Sequence, residues 1–198
     1  DGATGNVTEN PEVVYSAYGQ EILSCPGWLG GKDWEAGAYS PLTNTMYYPL
    51  RNSCARVLAT PDEGLATYQL RARFQLAPGI DQLGTVRAIS AETGRTTWLH
   101  EQRAATLSLV TTGGGLVFGG DVNGRFKAFD QETGEVLWEI NIGSPVTGFP
   151  ITFAVDGRQY VAASTGSAAT AGAFRGLTPE LRSSSGNNLF VFALPDRD

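Results

Sequence analysis

Two cysteines and a single histidine are all the thiol and imidazole that 198 residues offer. With His100 as the lone imidazole, a Ser/His/Asp triad or a multi-histidine metal site is implausible, and the position reads as a surface residue at a strand end. Cys25 and Cys54 lack the CxxC spacing of a zinc ribbon, a thioredoxin-type site or a haem attachment sequence. They either pair or sit as two buried thiols. No run of eighteen apolar residues occurs, so no helix is long and apolar enough to cross a bilayer. The first residues lack the basic start and apolar stretch of a signal peptide, so any export signal is expected elsewhere. Clustered positive charge is missing too: 14 Lys and Arg stand against 20 Asp and Glu, interspersed, for a net charge of -6. Phosphate backbones need concentrated Lys and Arg, so a nucleic-acid surface is excluded and a small or neutral ligand fits better.

Glycine and proline are plentiful, at 25 and 10 residues, beside a 10% aromatic share. Gly supplies positive φ and Pro fixes φ at corners, so this composition suits many short strands joined by tight turns. The patterning agrees, since no stretch carries a long helical period. One internal repeat is clear: Val86 to Trp98 returns as Phe126 to Trp138, forty residues on, with Ala, Glu, Thr, Gly and Trp in register. Each copy reads as a hairpin, an alternating strand, a polar Glu-Thr-Gly turn and a second strand closing on Trp. A degenerate relative runs from Tyr39 to Tyr47. Trp98 and Trp138 are assigned to packing, because a large indole at one point of each unit can wedge between neighbouring sheets.

Further strands are expected at Leu116 to Gly120, Phe149 to Val155 and Gln159 to Ser164, with a buried one at Asn188 to Leu194. Segments 1 to 30, 60 to 82 and 165 to 187 read as irregular, and Asp62 and Glu63 as solvated loop carboxylates. A four-stranded unit takes about 40 to 50 residues, which leaves room for roughly three full units. Three would not close a ring. An open part of a larger array is expected, its exposed edges covered by a partner.

The repeat, Ala88 to Trp98 and Ala128 to Trp138, resembles the tryptophan-docking motif of quinoprotein alcohol dehydrogenases. Gly114 to Asp130, Gly148 to Phe153 and Gly157 to Ala162 resemble stretches near the C-terminus of that family, and Gly30-Gly31-Lys32-Asp33-Trp34 with Tyr39-Ser40-Pro41 resembles its GGKNW…YSP signature. The resemblance implies an all-β fold: part of an eight-bladed β-propeller with four-stranded antiparallel blades, residues 1–198 being a C-terminal portion completed by an N-terminal chain or partner. It implies pyrroloquinoline quinone (PQQ) as cofactor, with Ca2+ held mainly by the missing N-terminal part. Asp33 and Trp34 inherit a place beside the quinone, although Asp stands where the family has Asn and a carboxylate cannot donate a hydrogen bond unless protonated. Thr106 and Leu107 occupy the position of a Trp-Gly-Gly floor under the cofactor, without its indole. Phe174 falls in a loop near the family's substrate entrance, where the competing reading is a surface loop with one anchoring aromatic. The spacing of Cys25 and Cys54 matches a structural disulfide of some members, which implies an oxidising compartment, the periplasm.

The implied activity is oxidation of alcohols, sugars or polyols, passing electrons to an acceptor such as a cytochrome c or a quinone. The catalytic base and metal ligands are expected outside this chain. The competing reading is a non-enzymatic scaffold or binding propeller of the same superfamily.

Overall fold

The computed structural model describes residues 1–11, 14, 18–62, 64, 68–167, 173–174 and 176–193. Glu63, Arg175 and Leu194 therefore lie outside the described residues. Among the described residues, fourteen strands make four antiparallel sheets.

The first blade is β2 (Ala38–Ser40), β3 (Thr45–Arg51), β6 (Gly84–Ser90) and β7 (Thr96–Gln102), hydrogen-bonded in that order. The second is a plain meander of β8 (Thr106–Thr111), β9 (Leu116–Asp121), β10 (Arg125–Asp130) and β11 (Val136–Asn141). The third sheet has three strands, β12 (Ile151–Val155), β13 (Arg158–Ser164) and β14 (Leu189–Ala193). The fourth joins β1 (Glu21–Ser24) to the hairpin β4 (Ser53–Pro61) and β5 (Tyr68–Leu76), which is inserted between β3 and β6.

The forty-residue repeat becomes two hairpins of matching register. Both shift register just after the alanine, at Ala88/Ile89 and Ala128/Phe129, and both turn on a glycine at positive φ, Gly94 at 69° and Gly134 at 75°. Only a residue without Cβ adopts that conformation cheaply. At Gly134 a second reason applies: a Cβ would lie 2.6 Å from the ring of Trp98. The indole thus lies on the neighbouring blade's turn, and its Nε1 donates to the Gln131 carbonyl at 2.9 Å. Tyr47, Val86, Ala88, Trp98, Leu109, Val117 and Phe129 form the core between the first two blades. Trp138 meets Phe126 and Phe192 edge-on, tying the second blade to β14.

Four sequence expectations need correction. Glu21–Ser24, inside the segment 1 to 30 read as irregular, forms β1 against β4. Residues 68–76, read as irregular, form a nine-residue strand, because Tyr68, Leu70, Ala72, Phe74 and Leu76 alternate strictly with Gln and Arg. The final strand is not buried: Leu189 is 69% and Val191 51% exposed, since no layer among the described residues packs on its outer face. His100 is half-buried rather than superficial, because it lies two residues after Trp98 on the same face of β7 and meets the Phe129 ring edge-on at 5.0 Å. Burial and the nearby Lys127 ammonium lower its pKa.

Candidate functional site

β2 and β8, the first strands of two neighbouring blades, touch, and the Gly30–Glu35 loop leads into β2. Directly after it, Ala36 is sewn to β8: its N–H donates to Ser108 Oγ at 3.1 Å, and its carbonyl accepts the Leu109 N–H at 2.9 Å. Thr111 Oγ1 adds a bond to the Tyr39 carbonyl at 2.9 Å. Trp34 reaches farther, to Phe149 just before β12, with ring centroids 6.3 Å apart and planes 81° from parallel. One loop therefore touches the start of three sheets.

Asp33 and Trp34 sit together in the open. Trp34 is 54% and Phe149 52% exposed, so the edge-on contact leaves much of the indole uncovered. Asp33 is exposed as well, and its backbone carbonyl accepts Lys32 Nζ at 3.0 Å. A planar aromatic cofactor could be received against such an indole. Thr106 and Leu107 differ. Both side chains are buried, the Thr106 hydroxyl accepting from Gln102 at 3.3 Å and Leu107 packing with Leu83, Ala105, Val122 and Phe174. They lie beneath the surface rather than on it.

Phe174 is also fully buried and does not open onto an entrance in this chain. Its ring carries the Arg51 guanidinium at 4.7 Å and meets Phe74 at 6.2 Å, so it anchors its loop to the core. Cys25 and Cys54 form a disulfide that ties the residues after β1 to the head of β4. Its 29-residue separation encloses the whole Gly30–Glu35 loop.

The feature that residue typing missed is a buried ion pair. Arg51 Nη1 donates to Glu35 Oε1 at 2.7 Å, with both side chains almost wholly buried. Arg51 Nη2 donates to the Leu29 carbonyl at 3.2 Å, and the Arg51 backbone N–H donates to the Gly31 carbonyl at 2.8 Å. The signal was present in β3, where Thr45, Tyr47, Pro49 and Arg51 share the inward phase. A charge in that phase needs a buried partner.

A second polar cluster links the first two blades. Burial pushes the Asp121 carboxyl up to about 6, against the opposing pull of the Arg125 N–H, the Lys127 ammonium and the Asn123 N–H. Gln102 links it at 3.4 Å to Lys127, whose Nζ donates to Gln102 Oε1 at 2.6 Å.

Residues 81–161 match the family described as "PQQ: Glucose/ethanol/alcohol dehydrogenase, beta-propeller domain". The chain is similar to the C-terminal part of quinoprotein alcohol dehydrogenases. It is 32% identical, over its whole length, to "Quinoprotein alcohol dehydrogenase PedE" of Pseudomonas putida, and covers 33% of that protein. It is 38% identical over 84% of its length to "Lanthanide-dependent methanol dehydrogenase" of Methylacidiphilum fumariolicum, covering 32% of it. Among solved structures, "Europium-containing methanol dehydrogenase" superposes with a TM-score of 0.80 at 30% identity, over 89% of this chain and 36% of that one. The chain thus spans about a third of the length of the curated relatives it matches.

Proposed function

We propose that this chain supplies one wall of the PQQ pocket of a dehydrogenase oxidising alcohols, sugars or polyols, in a propeller completed by an N-terminal chain. The observation that carries the reading is the exposed Trp34 indole, steadied edge-on by Phe149 where three sheets begin. Bound there, the quinone would supply the two-electron acceptor for the alcohol. The chain's own residues bind and orient: Trp34 offers a flat apolar surface, Asp33 a charged group beside it, and the bonds of Ala36 to β8 fix the loop. Thr106 and Leu107, being buried, support that wall from behind. Ca2+ is assigned mainly to the missing part, as is the catalytic base, and the electron acceptor is a cytochrome c or a quinone. The disulfide favours an oxidising compartment, which we take to be the periplasm.

The second reading, a non-enzymatic scaffold or binding propeller, is favoured by the absence of an indole at Thr106 and Leu107. Joining the chain to its N-terminal part, adding PQQ and Ca2+, and following dye reduction with primary alcohols separates the two. Turnover that needs PQQ supports the enzyme; an assembled protein that binds no PQQ removes it.

A further inference from the structure

Arg51 holds the Leu29–Glu35 segment at both ends. On the near side its guanidinium bonds the Leu29 carbonyl and its backbone N–H bonds the Gly31 carbonyl; on the far side the guanidinium bonds the Glu35 carboxylate. Between these anchors lie Lys32, Asp33 and Trp34, all exposed. A loop fixed only through its own backbone would be free to tilt about its ends. Here one planar cation, locked by packing over the Phe174 ring, sets the distance between them.

The arrangement is costly, which argues that it has a use. The ion pair is taken almost fully out of water, and Arg51 Nε finds no acceptor among the described residues. Apolar side chains of similar volume often serve stability as well as a buried ion pair does. What they do not supply is a two-ended grip with directional bonds. Phe174 extends that grip, because its position bears on the guanidinium and hence on the Asp33–Trp34 loop.

We propose that Arg51 is a positioning residue for PQQ: through Glu35 and the Leu29 and Gly31 carbonyls it fixes where Asp33 and Trp34 meet the quinone. This rests on the cofactor reading above. Arg51 itself is buried and touches no reacting atom.

The test uses the complete protein, chain and N-terminal part together, stripped of PQQ. PQQ is titrated in while Trp emission and the absorption band of the bound quinone are followed, and melting is recorded alongside. The double variant Arg51→Met with Glu35→Leu removes both charges at conserved volume, so it is expected to melt close to the wild type. Its PQQ affinity is expected to fall at least tenfold, with the bound-quinone band displaced. A control at the surface pair Arg125 and Glu139, each changed to Gln, is expected to leave affinity within twofold. If the double variant does not fold, Arg51→Lys carries the comparison, because an ammonium lacks the fork that reaches Leu29 and Glu35 together. A folded variant whose affinity and absorption match the wild type overturns the role of Arg51 alone. A wild-type assembly that binds no PQQ overturns the cofactor reading and this inference with it.

Discussion

The indole nitrogen of Trp98 and the hydroxyl of Tyr47 both donate to one acceptor, the carbonyl oxygen of Gln131, each at 2.9 Å. Two side chains of the first blade thus hold a single backbone group of the second. Blade-to-blade register is fixed there by direction as well as by apolar contact.

Replacing Trp98 by Phe is expected to cost about 2 kcal/mol, from a lost buried hydrogen bond and a partly emptied site. Gly134→Ala is expected to cost more than that, since the new methyl meets the Trp98 ring and the backbone stays at φ 75°. Urea midpoints of the two variants, measured side by side, check the order. A harmless Gly134→Ala would contradict the stacked arrangement.

Reducing the Cys25–Cys54 bridge, or changing both residues to Ala, is expected to cost about 3–4 kcal/mol by releasing a loop of this size in the unfolded chain. Melting with and without dithiothreitol measures it. Because the bridge encloses the Asp33–Trp34 loop, protease cleavage near Trp34 is expected to speed up on reduction.

Asp121 gives the fold a pH dependence of unusual sign. Its folded pKa, about 6, lies above the ordinary 3.8, so the folded state binds the proton more tightly. The stabilisation is complete below pH 3.8 and is lost as pH rises through 6, by about 3 kcal/mol in all. Subtracting the stability profile of Asp121→Asn from that of the wild type isolates this group. A difference that is flat between pH 4 and 6 would refute the assignment.

Strands carried by alternation or by the repeat were legible in the sequence, because period-two patterning and a glycine turn act locally. The hairpins ending in Trp98 and Trp138 appear where the repeat puts them, and Asp33 and Trp34 emerge together on one exposed loop. Three things were not legible. β5 was obscured because its alternation followed a Pro/Gly-rich loop that suggested irregularity. For Phe174 two readings stayed open, an entrance aromatic and an anchoring one, because the composition of its loop says nothing of the apolar cluster that receives the ring. Glu35 and Arg51, sixteen residues apart, are brought together by the β2–β3 hairpin, and nothing in the patterning of either segment marks them as partners.

Glu35→Ala leaves the Arg51 cation buried and unpaired, and is expected to destabilise by about 3–5 kcal/mol. Arg51→Met with Glu35→Leu is expected to recover most of that loss, since no lone charge remains. Equilibrium unfolding of the single and double variants gives the coupling directly. Additive losses would show that the pair is not a unit.

The outer face of the third sheet sets the last expectation. Ile151, Phe153, Val155, Leu189 and Val191 share one face, by the registers of β12 with β13 and β13 with β14, and all are exposed. The opposite face, with Val161, Ala163 and Phe192, is already spent on the second blade. An apolar sheet face of this kind is a joint or an aggregation hazard. If the missing part of the propeller covers it, Ile151→Lys with Val191→Glu is expected to change the stability of the isolated chain by less than about 1 kcal/mol, because both positions are solvated there. The same change is expected to make the isolated chain more soluble and to block its union with the N-terminal part, seen as a loss of the larger species on gel filtration. Unimpaired assembly of the charged variant would mean that the propeller is completed across some other surface.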